Sequence, residues 1–148
     1  MPGFLPDTSC IVAAVCGWHE HHSRAGDKIE RRLRRAETML IAAPALVEAY
    51  AVLTRLPPPH RLCPTDALAL LEANFMAAGR IIALDGRSYR KLLTLLRRAP
   101  RDGIAGGRTY DAVIAACALK SKGTRLLTFN ASDFSPFSRR GLRVVVPE

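Results

Sequence analysis

The sequence predicts an α/β protein: a three-layer α/β/α sandwich built on a mostly parallel sheet of five strands. Three observations carry this. Short apolar runs recur along the 148 residues, at 3–6, 39–43, 81–84, 125–129 and 142–146. Patterns of helical period stand between the first four of them, which requires right-handed crossovers and a parallel sheet covered on both faces. Proline and glycine clusters, Pro57 to Pro59 and Gly103 to Gly107, mark loops between patterned segments.

The opening run ends at Asp7-Thr8-Ser9, three residue types that cap helices well, so a helix follows through about Trp18. A second helix spans about 23–36, charged on most sides, with Ile29 and Leu33 as its apolar stripe. After the second strand Pro44 suits a first helical turn, and the helix it opens reaches Leu56, where Pro57-Pro58-Pro59 stops it. Thr65 begins another helix with Leu68, Leu71 and Phe75 on one side. The third strand at 81–84 leads into Asp85, a cap for a helix ending near Arg98. Residues 100–108, with Gly103, Gly106 and Gly107, form a loop. The helix from Thr109 is apolar nearly all round, as a buried helix is, and Gly123 closes it.

One domain over 1–148 fits the length. No apolar run approaches the roughly 18 residues of a membrane span, and no basic stretch precedes Asp7 as a secretory signal requires. The expectation is therefore a cytoplasmic protein away from membranes. Cys10, Cys16 and Cys117 have apolar neighbours and suit a core, while Cys63 sits in the proline-rich loop. The net charge of +9, with arginines grouped at 31–35, 97–101 and 139–143, favours a polyanionic partner.

Ligands of open parallel sheets bind beyond the carboxyl ends of the strands. Asp7 stands there, after the first strand, and Asn130 and Asp133 follow the fourth. Asp111 lies in the first turn of the buried helix, and Glu48 stands among apolar neighbours one turn in from Pro44. Taken singly, Asp7 and Asp111 are caps and Glu48 lies on a solvent-facing stripe. Taken together they suggest a shared site. Two like charges about 4 Å apart repel by roughly 4 kcal/mol at an effective dielectric of 20. A hard divalent cation resolves that conflict, and oxygen ligands select Mg²⁺ or Mn²⁺. It also lets a phosphate enter an acidic pocket in a basic protein.

Four segments carry a family resemblance. Phe4-Leu5-Pro6-Asp7-Thr8-Ser9, the helix from Pro44 to Leu56, Gly107 to Ala116, and Leu127 to Phe134 resemble, in order, the four acid-bearing motifs of PIN domains. The closest type is the VapC ribonuclease toxin of VapBC toxin–antitoxin pairs. The resemblance implies an Mg²⁺- or Mn²⁺-dependent endoribonuclease that cleaves structured RNA, tRNA or rRNA, by metal-activated water. It implies a homodimer and a VapB-type antitoxin. Carried over by position, Asp7, Glu48, Asp111 and Asp133 are the catalytic acids, with Asp7 and Asp111 as metal ligands. Ser9, Thr128 and Asn130 support them, Asn130 standing where many relatives carry an acid. Arg55 and Arg108 are candidate RNA contacts.

His19-Glu20-His21-His22 lacks the spacing of a zinc helix and reads as a polar loop. Among Leu92, Leu93, Leu95 and Leu96, core or dimer contacts are expected. A receiver-like signalling module needs paired acids after strand one and a lysine late in the sheet. A haloacid-dehalogenase-like phosphatase needs D-x-D where this chain has Asp7-Thr8-Ser9. The alternatives that stay open are a non-catalytic RNA-binding protein of PIN shape and a receiver-like signalling module.

Overall fold

The computed structural model describes residues 3–98 and 103–148, so Arg101 and the first part of the loop expected at 100–108 lie outside the described residues. Strands β1 (Gly3–Pro6), β2 (Thr38–Ala42), β3 (Arg80–Ile82), β4 (Arg125–Leu127) and β5 (Arg143–Val145) form one sheet in the order β3-β2-β1-β4-β5. Every neighbouring pair is parallel, with Leu5 opposite Leu126 and Leu126 opposite Val144. All four residues of β1 are buried. Successive strand residues point to opposite faces, so both faces of the sheet's centre are covered, as a three-layer sandwich requires.

The covering helices are α1 (Thr8–Val15), α2 (His22–Arg34), α3 (Ala43–Arg55), α4 (Pro64–Leu71), α5 (Gly86–Arg98), α6 (Arg108–Lys120) and the single turn α7 (Ser135–Ser138). Helix α3 buries Ala45, Ala49 and Leu53, four residues apart on one face, and α6 buries Ala112, Ile114, Ala115, Cys117 and Ala118. No described helix is long and apolar enough to cross a membrane. Cys10, Cys16 and Cys117 are buried and Cys63 is exposed, as their neighbours suggest.

Several boundaries differ from expectation. Helix α1 stops at Val15 because Cys16 turns extended while its N–H still reaches Val12 O. The last three strands are shorter than their apolar runs. Leu68 lies exposed although Leu71 and Phe75 are buried, and Leu93 is exposed beside buried Leu92. Helix α6 is not apolar all round, since Tyr110 and Leu119 face solvent.

Helix α4 passes directly into a π-helix, Glu72–Met76, in which Ala77 N–H bonds Glu72 O at 2.9 Å. Its end lies close against the sheet. A Cβ on Gly79 would stand 2.6 Å from Ile41 Cγ1 and 2.7 Å from Phe75 O. The second contact is backbone and cannot swing aside, so Gly79→Ala is expected to destabilise the protein by about 1–3 kcal/mol, read as a lower melting midpoint.

Candidate active site

The strand order reverses at β1, whose chain successor β2 lies to one side and β4 to the other, and Asp7 ends β1 at that switch point. Asp7 is the N-cap of α1, accepting from Cys10 N–H at 3.0 Å. Ser9 Oγ donates to Asp7 Oδ1 at 2.6 Å, and Thr128 Oγ1 donates to Oδ2 at 2.5 Å. The two hydroxyls also accept backbone N–H groups beyond β4: Ser9 from Phe129 at 3.2 Å and Thr128 from Asn130 at 2.9 Å. Asp7 is thus held by both strands of the crevice. It is only 3% exposed, and burial pushes its carboxyl above the usual range, opposed by the bonds from Ser9, Thr128 and Cys10.

A cleft of about 440 Å³ opens above Asp7 and brings Glu48, Asp111 and Asn130 to its walls. Glu48 and Val52, one turn apart on α3, share that wall. The helix is less enclosed than its apolar sequence suggests, since Val47 is 71% exposed, and Glu48 itself is half-buried. Asp111 is also half-buried, in the first turn of α6. Burial, then the charges of Asp133, Asp7 and Glu48, push its carboxyl up to about 6, against the pull of Arg108. The other three acids therefore all bear on Asp111.

Asp133 stands differently. It sits in a 3-10 turn, Ala131–Phe134, outside the lining of the cleft that Asn130 borders. Arg108 Nη2 donates to Asp133 O at 3.4 Å, and Arg108 Nε lies 4.0 Å from Asp133 Oδ1. Arg108 therefore approaches Asp133, and its charge also bears on Asp111. Arg55 lies at the exposed end of α3, on a second groove shared with Glu48 and Tyr110.

The residue chemistry fits a divalent cation. Asp7, Glu48 and Asp111 supply oxygen donors, and no lysine or arginine is among the described residues lining the cleft. The negative charge they share is uncompensated from within. Among the described residues no three histidine, cysteine, aspartate or glutamate side chains already form a ligand set, so the acids share a field without forming a preformed coordination shell.

The PIN domain pattern matches residues 4–139 of this chain. The chain belongs to the PIN-domain family. Ribonuclease VapC40 of Mycobacterium tuberculosis is 40% identical over 141 residues, 95% of each chain. Ribonuclease VapC27 of the same organism is 33% identical over 142 residues, covering 96% of this chain and 88% of that one. The fold is similar to that of M. tuberculosis VapC20, described as a sarcin-ricin loop cleaving toxin, with a TM-score of 0.68 at 20% identity over 98% of this chain and 100% of that one. It is also similar to a chain of the DNA-bound VapBC structure from Salmonella typhimurium, with a TM-score of 0.67 at 23% identity over 99% and 98%.

The cleft of this PIN domain takes in the histidine loop, read from sequence only as a polar loop, and Phe129, which the sequence did not single out. His19 and His21 line the same cleft as Asp7, Glu48 and Asp111, and so does Phe129, between Thr128 and Asn130 in sequence. The histidine loop was legible as a loop; its approach to β4 was not, because His21 and Phe129 meet across 108 positions. Partial burial, and then the nearby His21, hold the His19 imidazole below its usual pKa, with Glu20 opposing. The placement of Asp133 yields a prediction for this PIN domain. Asp133→Asn is expected to reduce RNA cleavage by about tenfold and Asp111→Asn by about a hundredfold or more, measured as initial rates, because only the second acid borders the cleft.

Proposed function

We propose that this chain is a metal-dependent endoribonuclease and the toxin half of a type II toxin–antitoxin pair, working as a single PIN domain. The observation that carries the reading is the convergence of Asp7, Glu48 and Asp111 on one cleft whose described lining holds no lysine or arginine, on a protein of net charge +9. The ribonuclease names of relatives at 40% and 33% identity support it.

Asp7, Glu48 and Asp111 would hold Mg²⁺ or Mn²⁺. When bound, the cation supplies a Lewis acid that activates water for attack on phosphorus and stabilises the leaving oxygen. Ser9 and Thr128 fix the Asp7 carboxylate at the crevice, so its oxygens need no reorganisation when substrate arrives. Asn130 offers a neutral oxygen or an amide donor on the same wall. The basic surface draws the phosphate backbone in without reading its sequence. Structured RNA, tRNA or rRNA, is the proposed substrate class. The proposed partners are a VapB-type antitoxin and a second copy of the chain, and the proposed location is the cytoplasm.

The test is cleavage of tRNA and rRNA fragments by the full chain freed of any antitoxin, with Mg²⁺, with Mn²⁺ and with EDTA. Cuts that need metal support the reading. Binding of the same RNAs without cleavage under either metal would instead favour a non-catalytic RNA-binding PIN protein.

A further inference from the structure

The turn between α1 and α2 starts a series of rings that runs from solvent into the cleft. Trp18 is 50% exposed and stacks on His60 of the loop after α3, with centroids 4.1 Å apart and planes 24° apart. His19 follows at 5.8 Å from Trp18, and His21 at 5.5 Å from His19. His21 stacks on Phe129 at 4.3 Å and 16°. At this inner end the Arg24 guanidinium lies 6.0 Å from the Phe129 centroid and hydrogen-bonds His21 Nδ1. His19, His21 and Phe129 border the same cleft as Asp7 and Asp111.

A ring that only pinned the turn to the neighbouring loop would be covered; Trp18 leaves half its surface to water although His60 takes one face. The charges along the path select what lies on it. Glu20 is exposed beside His21, 3.5 Å away, and with the cleft acids it repels phosphate. An uncharged nucleobase meets no such penalty and gains from ring faces. Arg24 at the inner end and exposed Arg61 next to His60 at the outer end are placed to attract the phosphates between bases.

We propose that Trp18, His19, His21 and Phe129 form a stacking path for unpaired nucleobases flanking the scissile phosphate. It rests on the ribonuclease reading and adds a substrate preference: a single-stranded stretch, with bases splayed out of any helix, lies along these rings.

Trp18 is the one tryptophan of the chain, so its emission reports the path directly. The full chain in EDTA is titrated with single-stranded octaribonucleotides, with a duplex of the same sequence, and with an abasic octamer that keeps every phosphate. Saturable quenching by single strands is expected, with binding about tenfold weaker for the abasic chain. Trp18→Leu is expected to weaken binding of a labelled octamer about tenfold by anisotropy, while Trp18→Phe retains most of it. In metal, the Trp18→Leu defect should appear more in KM than in kcat.

Equal binding of the normal and abasic octamers by wild-type protein would overturn the proposal whether or not the variants fold. So would unchanged octamer binding by folded Trp18→Leu. Base-dependent quenching in a protein that cleaves no RNA with Mg²⁺ or Mn²⁺ would keep the stacking path and overturn the ribonuclease reading. Metal-dependent cleavage without base-dependent binding would do the reverse.

Discussion

Asp7→Asn is expected to reduce metal-dependent RNA cleavage by about two to three orders of magnitude or more, with a melting midpoint equal to or above that of the wild type. The two effects separate because Asp7 is costly to the fold. Its carboxyl is buried, and desolvation is the largest influence on it, exceeding the three hydrogen bonds it accepts. An asparagine keeps one oxygen for Cys10 N–H and Ser9 Oγ, and its amide can face Thr128 Oγ1, whose hydroxyl can rotate. What is lost is the charge. A site retained against its folding cost is a mark of function. Asp7→Ala is less informative, since it also removes the α1 cap at a cost of about 1 kcal/mol and leaves Ser9 and Thr128 without their acceptor. Initial-rate cleavage at saturating Mg²⁺, together with thermal melting in EDTA, separates the cases. Melting that falls by several degrees alongside activity would assign Asp7 to folding instead.

The features legible in the sequence were those with a local cause. The β1 run ending at Asp7-Thr8-Ser9 announces a buried strand and a cap, and both stand where expected. Pro44 and the Pro57–Pro59 run frame α3 to within a residue. The run at 125–129 extends further than β4 because Phe129 is apolar for another reason: it closes the cleft wall against His21. The π-helix after α4 has no sequence mark, since its wider turn follows from seating Phe75 and Gly79 against Ile41. For the candidate site, the order of the acids was legible, and the resemblance pointed to Ser9 and Thr128, which hydrogen-bond Asp7; the engagement of Arg108 was not legible. Arg108 was read as an RNA contact and is engaged with Asp133, which lies 25 positions away. The helical pieces over 131–138 escaped notice because a 3-10 turn and a four-residue helix are too short to show a period.

The affinity of the chain for Mg²⁺ or Mn²⁺ is expected to rise with pH through about 6, by up to about tenfold per pH unit below that value. The cause is Asp111, whose carboxyl is raised from 3.8 to about 6 by burial and by the charges of Asp133, Asp7 and Glu48. The sign for stability is opposite. The folded state holds this proton more tightly than the unfolded chain. The stability contributed by Asp111 is therefore fully present below 3.8 and lost as pH rises through about 6, and Asp7, also raised, acts in the same direction. In EDTA the melting midpoint should then gain nothing from these two groups on going from pH 5 to 7, while the rise in midpoint produced by added Mg²⁺ should grow over the same interval. Arg108→Ala removes an attractive charge acting on Asp111, so it should move the metal-binding midpoint to higher pH. Calorimetric titration of the metal at pH 5, 6 and 7 measures the affinity without RNA, and thermal melting at the same pH values measures the midpoints. An affinity flat across that range would mean that Asp111 is not displaced from its proton by the metal, and would remove it from the ligand set while leaving Asp7 and Glu48 in place.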